Sequence, residues 1–539
     1  MDSIFHFSMV VLMILFTVSK LLQLSWVVFW WPYSMTQRLK SQGIIGPPYK
    51  LLTGSLDVIK RMKKDSEEKI LDINSNDILQ KILPHYHRWS SEYGETFLYW
   101  HGLEPHLCIS DPELAKQILS NKLGFYVKPR TRPGLLTMMG KGLVFVEGLE
   151  WVKHRRILNP AFSVEKLKVM VKIMAACAIS MLEEWKYLPT MSEDGSIKIE
   201  MNVEFQKLTA DIIAHTAFGS NYTQGKEVFE AQRQLQEWCA AASSDIFIPG
   251  TQYLPTPSNL RIWKLNWKMR RSLMQIIKSR VQNFKTSTES SPDCCFGDDV
   301  LGMMIASLEA TQAKGELKLN MNEIMDECKT FFFAGHETTS TLLTWTIFLL
   351  SKHQEWQEKL REEVLKECGC GIPDTDMLAK LKLVNMVLLE SLRLYGPALT
   401  MAREPSEDMT LGNLRIPKHT RLIIPLVIMH RSKDYWGEDA SEFNPLRFIN
   451  GISKAAKHPN AFIAFSIGPR ACIGQNFAML EAKTVLALIL QRFSFSLSTE
   501  YKHAPANNLT LQPQYGLPVV FKPLNKYEHA GTWMGIVRV

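Results

Sequence analysis

From Ile4 to Ser19 every residue is apolar or weakly polar except His6, and after Lys20 the apolar character resumes from Leu21 to Trp31. A helix over that stretch reaches across the hydrocarbon core of a bilayer, by tilting or by letting Lys20 snorkel to the interface. Trp26, Trp30, Trp31 and Tyr33 cluster where an interfacial aromatic belt would lie. A cleaved leader is disfavoured: there is no basic segment ahead of the run, no small-x-small cleavage site, and the run is too long. Residues 1–33 are therefore expected to stay as a membrane anchor. Asp2 precedes the span while Arg38 and Lys40 follow it, so the rest of the chain is expected on the cytosolic side. Residues 34–49, ending in Gly43-Ile-Ile-Gly-Pro-Pro-Tyr49, read as a Gly/Pro hinge.

Beyond residue 50 apolar positions recur at spacings of three and four, predicting helices over Asp111–Ser120, Ser163–Tyr187, Val203–Ala217, Lys226–Ala242 and Leu260–Lys285. Further helices are predicted over Met321–Leu350, His353–Lys366, Asp374–Tyr395 and Gln475–Phe493. Short β-type runs fall at Phe97–Trp100, His106–Ile109, Met409–Ile416, Arg421–Ile428 and Val519–Phe521. Pro249–Asn259 and Thr286–Asp299 carry the composition of surface loops. The pattern predicts a mainly helical α+β domain with small sheets. Phe331–Leu350 is apolar enough to suggest a second span, but His336, Glu337 and five threonines inside it fit a helix buried in protein.

Composition narrows the class. The chain has 539 residues, 46% hydrophobic and 22% charged, which excludes collagen-like, coiled-coil and wholly disordered chains. Lys plus Arg number 62 against 54 acidic residues, a net +8 that suits a basic patch for an acidic partner or an anionic membrane. No basic block of the kind nucleic-acid binders carry is present. Nine cysteines without a C-x-x-C motif fit reduced thiols better than a disulfide framework.

One cysteine stands apart. Phe465-Ser-Ile-Gly468-Pro-Arg470-Ala-Cys472-Ile-Gly474 leads straight into the helix predicted from Gln475. The two glycines permit a tight loop that approaches a flat ligand closely. Cys472 precedes a helix N-terminus, where amide N–H groups and the dipole favour a thiolate. Such a thiolate is a soft axial ligand for haem iron, and Arg470 is suited to a haem propionate. A buried structural cysteine is the plain alternative.

The loop resembles the cytochrome P-450 family's F-x-x-G-x-R-x-C-x-G at every fixed position. Other motifs agree: Ala334-Gly-His-Glu-Thr-Thr339 resembles the oxygen-activation motif and Glu390-Ser-Leu-Arg393 the E-x-x-R. Phe443-Asn-Pro-Leu-Arg-Phe448 fits F-x-P-x-R-F, and Trp151-Val-Lys-His-Arg155 fits W-x-x-x-R. The resemblance covers roughly residues 50–524 and implies the P-450 fold over that range, with residues 525–539 as a tail beyond the family's usual end. It implies haem b, with Cys472 as the iron ligand, Trp151, Arg155, Arg403 and Arg470 binding its carboxylates, and Phe465 also binding the cofactor. Arg403 rests only on its place in the strand after E-x-x-R; Lys128 and Arg130 are further candidates, with a solvated charge pair as the alternative.

Glu390 and Arg393 share a helix face, and with Arg447 they are expected to form a buried network under the cysteine loop. Gly335 is expected to weaken the central helix where Thr338 opens a groove for O₂. Thr338 as hydrogen-bond donor and Glu337 as acid are the expected catalytic pair, delivering protons. A zincin reading of His336-Glu337 fails because Ser340 stands where a second histidine belongs.

No dinucleotide or P-loop motif is present, so flavin and NADPH are not expected on this chain. The family implies electrons from NADPH–cytochrome reductase, with cytochrome b5 as a further partner, at the endoplasmic reticulum membrane. Gln42–Pro47, Tyr93-Gly-Glu95, Phe145–Trp151 and Ile248-Pro-Gly250 are similar to plant members of the seventy-two clan; Gly396, where the clan often has proline, departs from it. That similarity implies oxidation of apolar terpenoids, hormones or fatty acids. A lipophilic pocket is expected from Phe125–Met139, Phe332, Phe333, Ala398–Met401 and Gln514–Leu517. Three functions compete: a monooxygenase inserting one oxygen atom, a haem-thiolate isomerase or dehydratase that needs no O₂, and a non-enzymatic haem carrier or sensor.

Overall fold

The computed structural model describes residues 2–122, 124–191, 195–219, 222–242, 250–288, 297, 299–309 and 318–524. The tail 525–539, Cys294, Cys295, Ile248-Pro249 and most of the loop expected at Thr286–Asp299 lie outside the described residues.

A helix over Asp2–Ser25 passes through a π-helical turn at Trp26–Trp30 and continues from Trp31 to Lys40 without a loop. The stretch Phe5–Lys40 is long and apolar enough to cross a membrane, and none of its most apolar window is buried in protein. Residues 34–40 are thus helical rather than an open hinge, for a packing reason. Met35 and Leu39, four apart on one face, are 1% and 0% exposed and join Ile44, Leu98 and Trp100 in one buried cluster. Gln42 then pairs with the backbone of Arg415 in both directions, its Nε2 donating to O at 3.1 Å and its Oε1 accepting from N at 2.6 Å. The Tyr49 hydroxyl donates to the Val28 carbonyl at 3.1 Å. The anchor helix is bolted to the body.

A five-stranded sheet orders Thr96–His101, Glu104–Ile109, Arg421–Ile424, Met401–Pro405 and Tyr126–Val127. Its first pair is antiparallel with Phe97 opposite Cys108, the next is parallel with His106 opposite Arg421, and Arg403 stands opposite Leu422. A three-stranded sheet orders Ile197–Glu200, Pro518–Pro523 and Phe493–Leu497. Two runs are shorter than the pattern predicts. Met409–Ile416 folds into a hairpin because Gly412 takes φ +56°, and the strand from Arg421 stops at Ile424, ahead of Pro425. The helix predicted over Asp374–Tyr395 likewise divides at Leu381, whose ψ of 83° is not helical.

The helix over Met321–Lys352 runs through the core, and its start is fixed by a capping box: Asn320 Oδ1 accepts from Glu323 N at 3.0 Å while Glu323 accepts from Asn320 N at 2.7 Å. Its threonines are tolerated in a buried setting because their hydroxyls turn back onto the helix. Thr341, Thr344 and Thr346 donate to the carbonyls of Glu337, Ser340 and Leu342 at 2.7–2.8 Å. This central helix lies in protein, as its polar content requires.

Candidate functional site

Cys472 sits at the end of a loop that includes a 3₁₀ turn at Gly468–Arg470, just ahead of the helix Gln475–Arg492. The loop is held under the helix Pro112–Leu119. A Cβ on Gly468 (φ +76°) would lie 2.5 Å from the Leu119 carbonyl oxygen and 2.6 Å from the Ser120 Cα, so only glycine fits. The Cys472 N–H donates to the Phe465 carbonyl at 2.9 Å, which closes the loop on itself. Arg155 Nη1 donates to the Ala471 carbonyl at 3.1 Å, one residue from the sulfur. The Cys472 residue is exposed on one side while protein walls it elsewhere. Burial therefore raises its thiol, while the Gly474 N–H and the Arg155 charge pull the other way. Phe162 links the helix that follows this loop to the central helix, its ring 6.0 Å from Phe331 and 6.4 Å from Phe477.

A second feature is a cluster of cations. Arg470 Nη2 pairs with Glu147 at 2.6 Å and donates to the Val146 carbonyl at 2.8 Å, and its guanidinium lies 4.9 Å over the Trp151 ring. Arg403 is 4% exposed and its side chain donates to the Ala402 carbonyl at 2.8 Å. Burial, then the charge of Arg470, lowers Arg403 to about 10. Lys128 falls to about 7, through burial first and then Arg403 and Arg470, with Glu147 opposing. Three partly or wholly buried cations thus share one carboxylate. Such an excess is costly unless a polyanion joins it. The two carboxylates of a haem would balance it, and the accessible sulfur of Cys472 would hold its iron. The donor set fits the cofactor. Arg130, by contrast, is exposed.

Behind the loop lies the buttress expected from the motifs. Glu390 and Arg393 are both fully buried and joined by two contacts of 2.7 Å. Arg393 also donates to the carbonyls of His430, at 2.8 Å, and Glu442, at 3.0 Å, which ties down the chain leading to the cysteine loop. Arg447 approaches Glu390 at 3.5 Å and pairs with Asp439 at 2.7 Å. Asp439 had no signal of its own in the sequence. Its carboxyl is held low by the Arg447 hydrogen bond.

The central helix is unbroken where a weakness was expected. Gly335 serves instead for close approach: a Cβ there would meet Ile213 Cδ1 at 2.6 Å, from the crossing helix Met201–Phe218. Thr338 Oγ1 donates to the Ala334 carbonyl at 2.7 Å, and both residues are partly exposed. Glu337 is 2% exposed and does not share Thr338's surroundings. Its Oε1 accepts from Gln236 Nε2 at 2.9 Å, from the Thr510 hydroxyl at 2.5 Å, and from Gln512. Gln236 also donates to the Asn508 carbonyl at 2.9 Å, so this clasp joins the helix Tyr222–Ala241 to the hairpin Pro505–Asn508/Thr510–Pro513. Phe332, expected at the pocket, is instead core: it is fully buried and stacked on Phe218 at 4.1 Å. His336 is packed against Phe229, ring to ring at 5.1 Å.

Glu147, Gln236, Thr510 and Gln512 carry no signal in the sequence because their partners lie far away along the chain. Glu147 does stand inside Phe145–Trp151, but nothing local shows that it faces Arg470.

Comparison with known proteins agrees with this geometry. The family model described as Cytochrome P450 matches residues 70–519. The chain is 56% identical to Cytochrome P450 709B1 of Arabidopsis thaliana, over 96% of this chain and 99% of that protein. It is 40% identical to Cytochrome P450 72A397 of Kalopanax septemlobus, over 93% and 95%. It is 39% identical to Secologanin synthase 1 of Catharanthus roseus, over 93% and 95%. A cysteine presented beneath a surplus of buried cations, in a chain matched along most of its length, leads to one assignment: the protein belongs to the cytochrome P450 family and is a P450 monooxygenase.

Proposed function

We propose that the protein hydroxylates an apolar small molecule, a terpenoid, hormone or fatty acid, using O₂ and electrons that NADPH–cytochrome reductase delivers. Cytochrome b5 is a second electron donor, and the body stands on the cytosolic side of the endoplasmic reticulum membrane, held by its N-terminal apolar helix. Cys472 holds the iron of haem b; Arg403, Arg470 and Lys128 take its carboxylates, Trp151 shields Arg470, and Arg155 and Phe465 fix the loop. The observation that carries this reading is the three-cation, one-carboxylate cluster beside an accessible thiol. A bound thiolate haem supplies O₂ reduction and insertion of one oxygen atom into a C–H bond.

The chain's own residues supply protons. Thr338 offers a hydroxyl on the accessible face of the central helix; by leaving the Ala334 carbonyl it can donate to a bound ligand. Glu337 is the acid behind it, and its side chain must turn out of the clasp to reach that face. An isomerase or dehydratase without O₂ would have no need of either group. The substrate class rests on the seventy-two-clan similarity and on a relative named for making secologanin.

The test uses full-length protein in membranes with reductase, NADPH, O₂ and a panel of terpenoids, hormones and fatty acids. The expected result is a thiolate-type carbon monoxide band and a product carrying one added oxygen atom. Product with no oxygen gained would favour the isomerase or dehydratase, and no turnover at all the carrier. Thr338→Ala is expected to keep the carbon monoxide band and divert NADPH electrons to hydrogen peroxide. Unchanged coupling would remove Thr338 from proton delivery.

A further inference from the structure

Away from the haem residues, three side chains of metal-binding type converge. The Cys177 sulfur, an Asp211 carboxylate oxygen and a His215 ring nitrogen all lie within 4.8 Å of one another. Asp211 and His215 are four residues apart on the helix Met201–Phe218 and share a face, with Nε2 to Oδ1 at 3.5 Å. Cys177 comes from the helix Val164–Trp185, which packs against both Met201–Phe218 and Gln475–Arg492. Its thiol is at the buried floor, 8% exposed, while the Asp211 and His215 side chains are 30% and 41% exposed. The donors therefore open to solvent.

A fourth group lies close enough to act electrostatically on Cys177. Glu481, on the helix after Cys472, is 0% exposed, and neither of its carboxyl oxygens has a hydrogen-bond partner. The Thr339 hydroxyl approaches it but donates to the Gly335 carbonyl at 3.3 Å. An isolated carboxylate in the interior is strongly disfavoured. Glu481 lies within electrostatic reach of Cys177, beside which the Asp211 carboxylate also stands. A cation among these groups would give Glu481 a countercharge.

We propose that Cys177, Asp211 and His215 bind a zinc ion, with the Glu481 carboxyl as anionic support behind Cys177. Thiolate, imidazole and carboxylate together select zinc over calcium or magnesium, which take oxygen donors. Bonds of about 2.0–2.3 Å put tetrahedral ligands roughly 3–4 Å apart, which small side-chain rotations reach from the observed spacing. Binding breaks the Cys177 S–H bond, forms a Zn–S bond and releases that proton to solvent. The ion would tie together two helices and press on the third, whose N-terminus carries the haem ligand.

The test is equilibrium dialysis of chelator-stripped, haem-loaded full chain against zinc, with metal and haem counted together and proton release followed in weak buffer. One zinc per haem and about one proton released are expected. His215→Ala removes an exposed ligand, so the carbon monoxide band stays while zinc affinity drops about 100-fold; Cys177→Ser does the same and removes the proton. Glu481→Gln weakens binding by about tenfold. Zinc binding that is absent in the parent protein, or equal in parent, His215→Ala and Cys177→Ser, overturns the site. So does calcium bound as tightly as zinc.

Discussion

Lys128 sits where the cofactor's carboxylates are expected, and its charge is expensive without them. In the folded chain it titrates at about 7, against about 10.4 when unfolded. Between those values the unfolded chain holds more protons, so the cofactor-free fold gains stability as pH rises from 7 towards 10 and lacks that gain below 7. Two carboxylates beside Lys128 raise its pKa and restore the charge. Haem binding to apoprotein near pH 8.5 releases about one proton from the Cys472 thiol and is expected to take up nearly one through Lys128, so the net, read by calorimetry in buffers of different ionisation heat, is close to zero. Lys128→Met should turn this into a net release of about one proton; a balance unchanged by the substitution would place the carboxylates elsewhere. The sequence showed Lys128 and Arg130 as equal candidates. Only the fold separates them, by turning Arg130 to solvent while Lys128 joins Arg403 and Arg470.

At the scale of elements, the cysteine loop and the Glu390–Arg393 pair were legible because their chemistry is local: a ten-residue loop and one helical turn. The Glu337 clasp was not, since it needs a helix and a hairpin from distant parts of the chain to meet on one oxygen. The clasp makes a prediction that separates fold from chemistry. Glu337→Gln keeps an oxygen acceptor for Gln236, Thr510 and Gln512, so the melting temperature should hold while coupling of NADPH to product falls. Glu337→Leu takes the shared acceptor from Gln236, Thr510 and Gln512, leaving the buried Thr510 hydroxyl unpaired at about 1–3 kcal/mol, and should lower the melting temperature. If both variants melt alike, the clasp does not hold the hairpin. The reading of Gly335 as a weak point missed for a related reason: helix periodicity does not reveal that Ile213 lies 2.6 Å from its missing Cβ.

For the whole molecule, periodicity gave most of the long helices, while strand partners, set by tertiary pairing, stayed hidden. Strands such as Ile197–Glu200 and Phe493–Leu497 were missed because they are short and flanked by helix or loop. The apolar anchor was visible at once, but not where it ends. Removing residues 2–25 should leave melting and the carbon monoxide band unchanged and abolish membrane association. Removing residues 2–40 also strips Met35 and Leu39 from Leu98 and Trp100, a loss of about 2–5 kcal/mol for each buried side chain, and should lower the melting temperature. Equal melting of the two truncations would mean that the docked segment contributes nothing to the body.

Since the apolar helix enters the docked segment with no intervening loop, the body rides on it like a flag on a mast. Each residue added to an α-helix rotates the chain beyond it by about 100°, so a single alanine inserted within the exposed part of the mast would swing the body to face a different direction along the bilayer. Seven alanines, close to two full turns, would bring it nearly back to its first heading and lift it by about 10 Å.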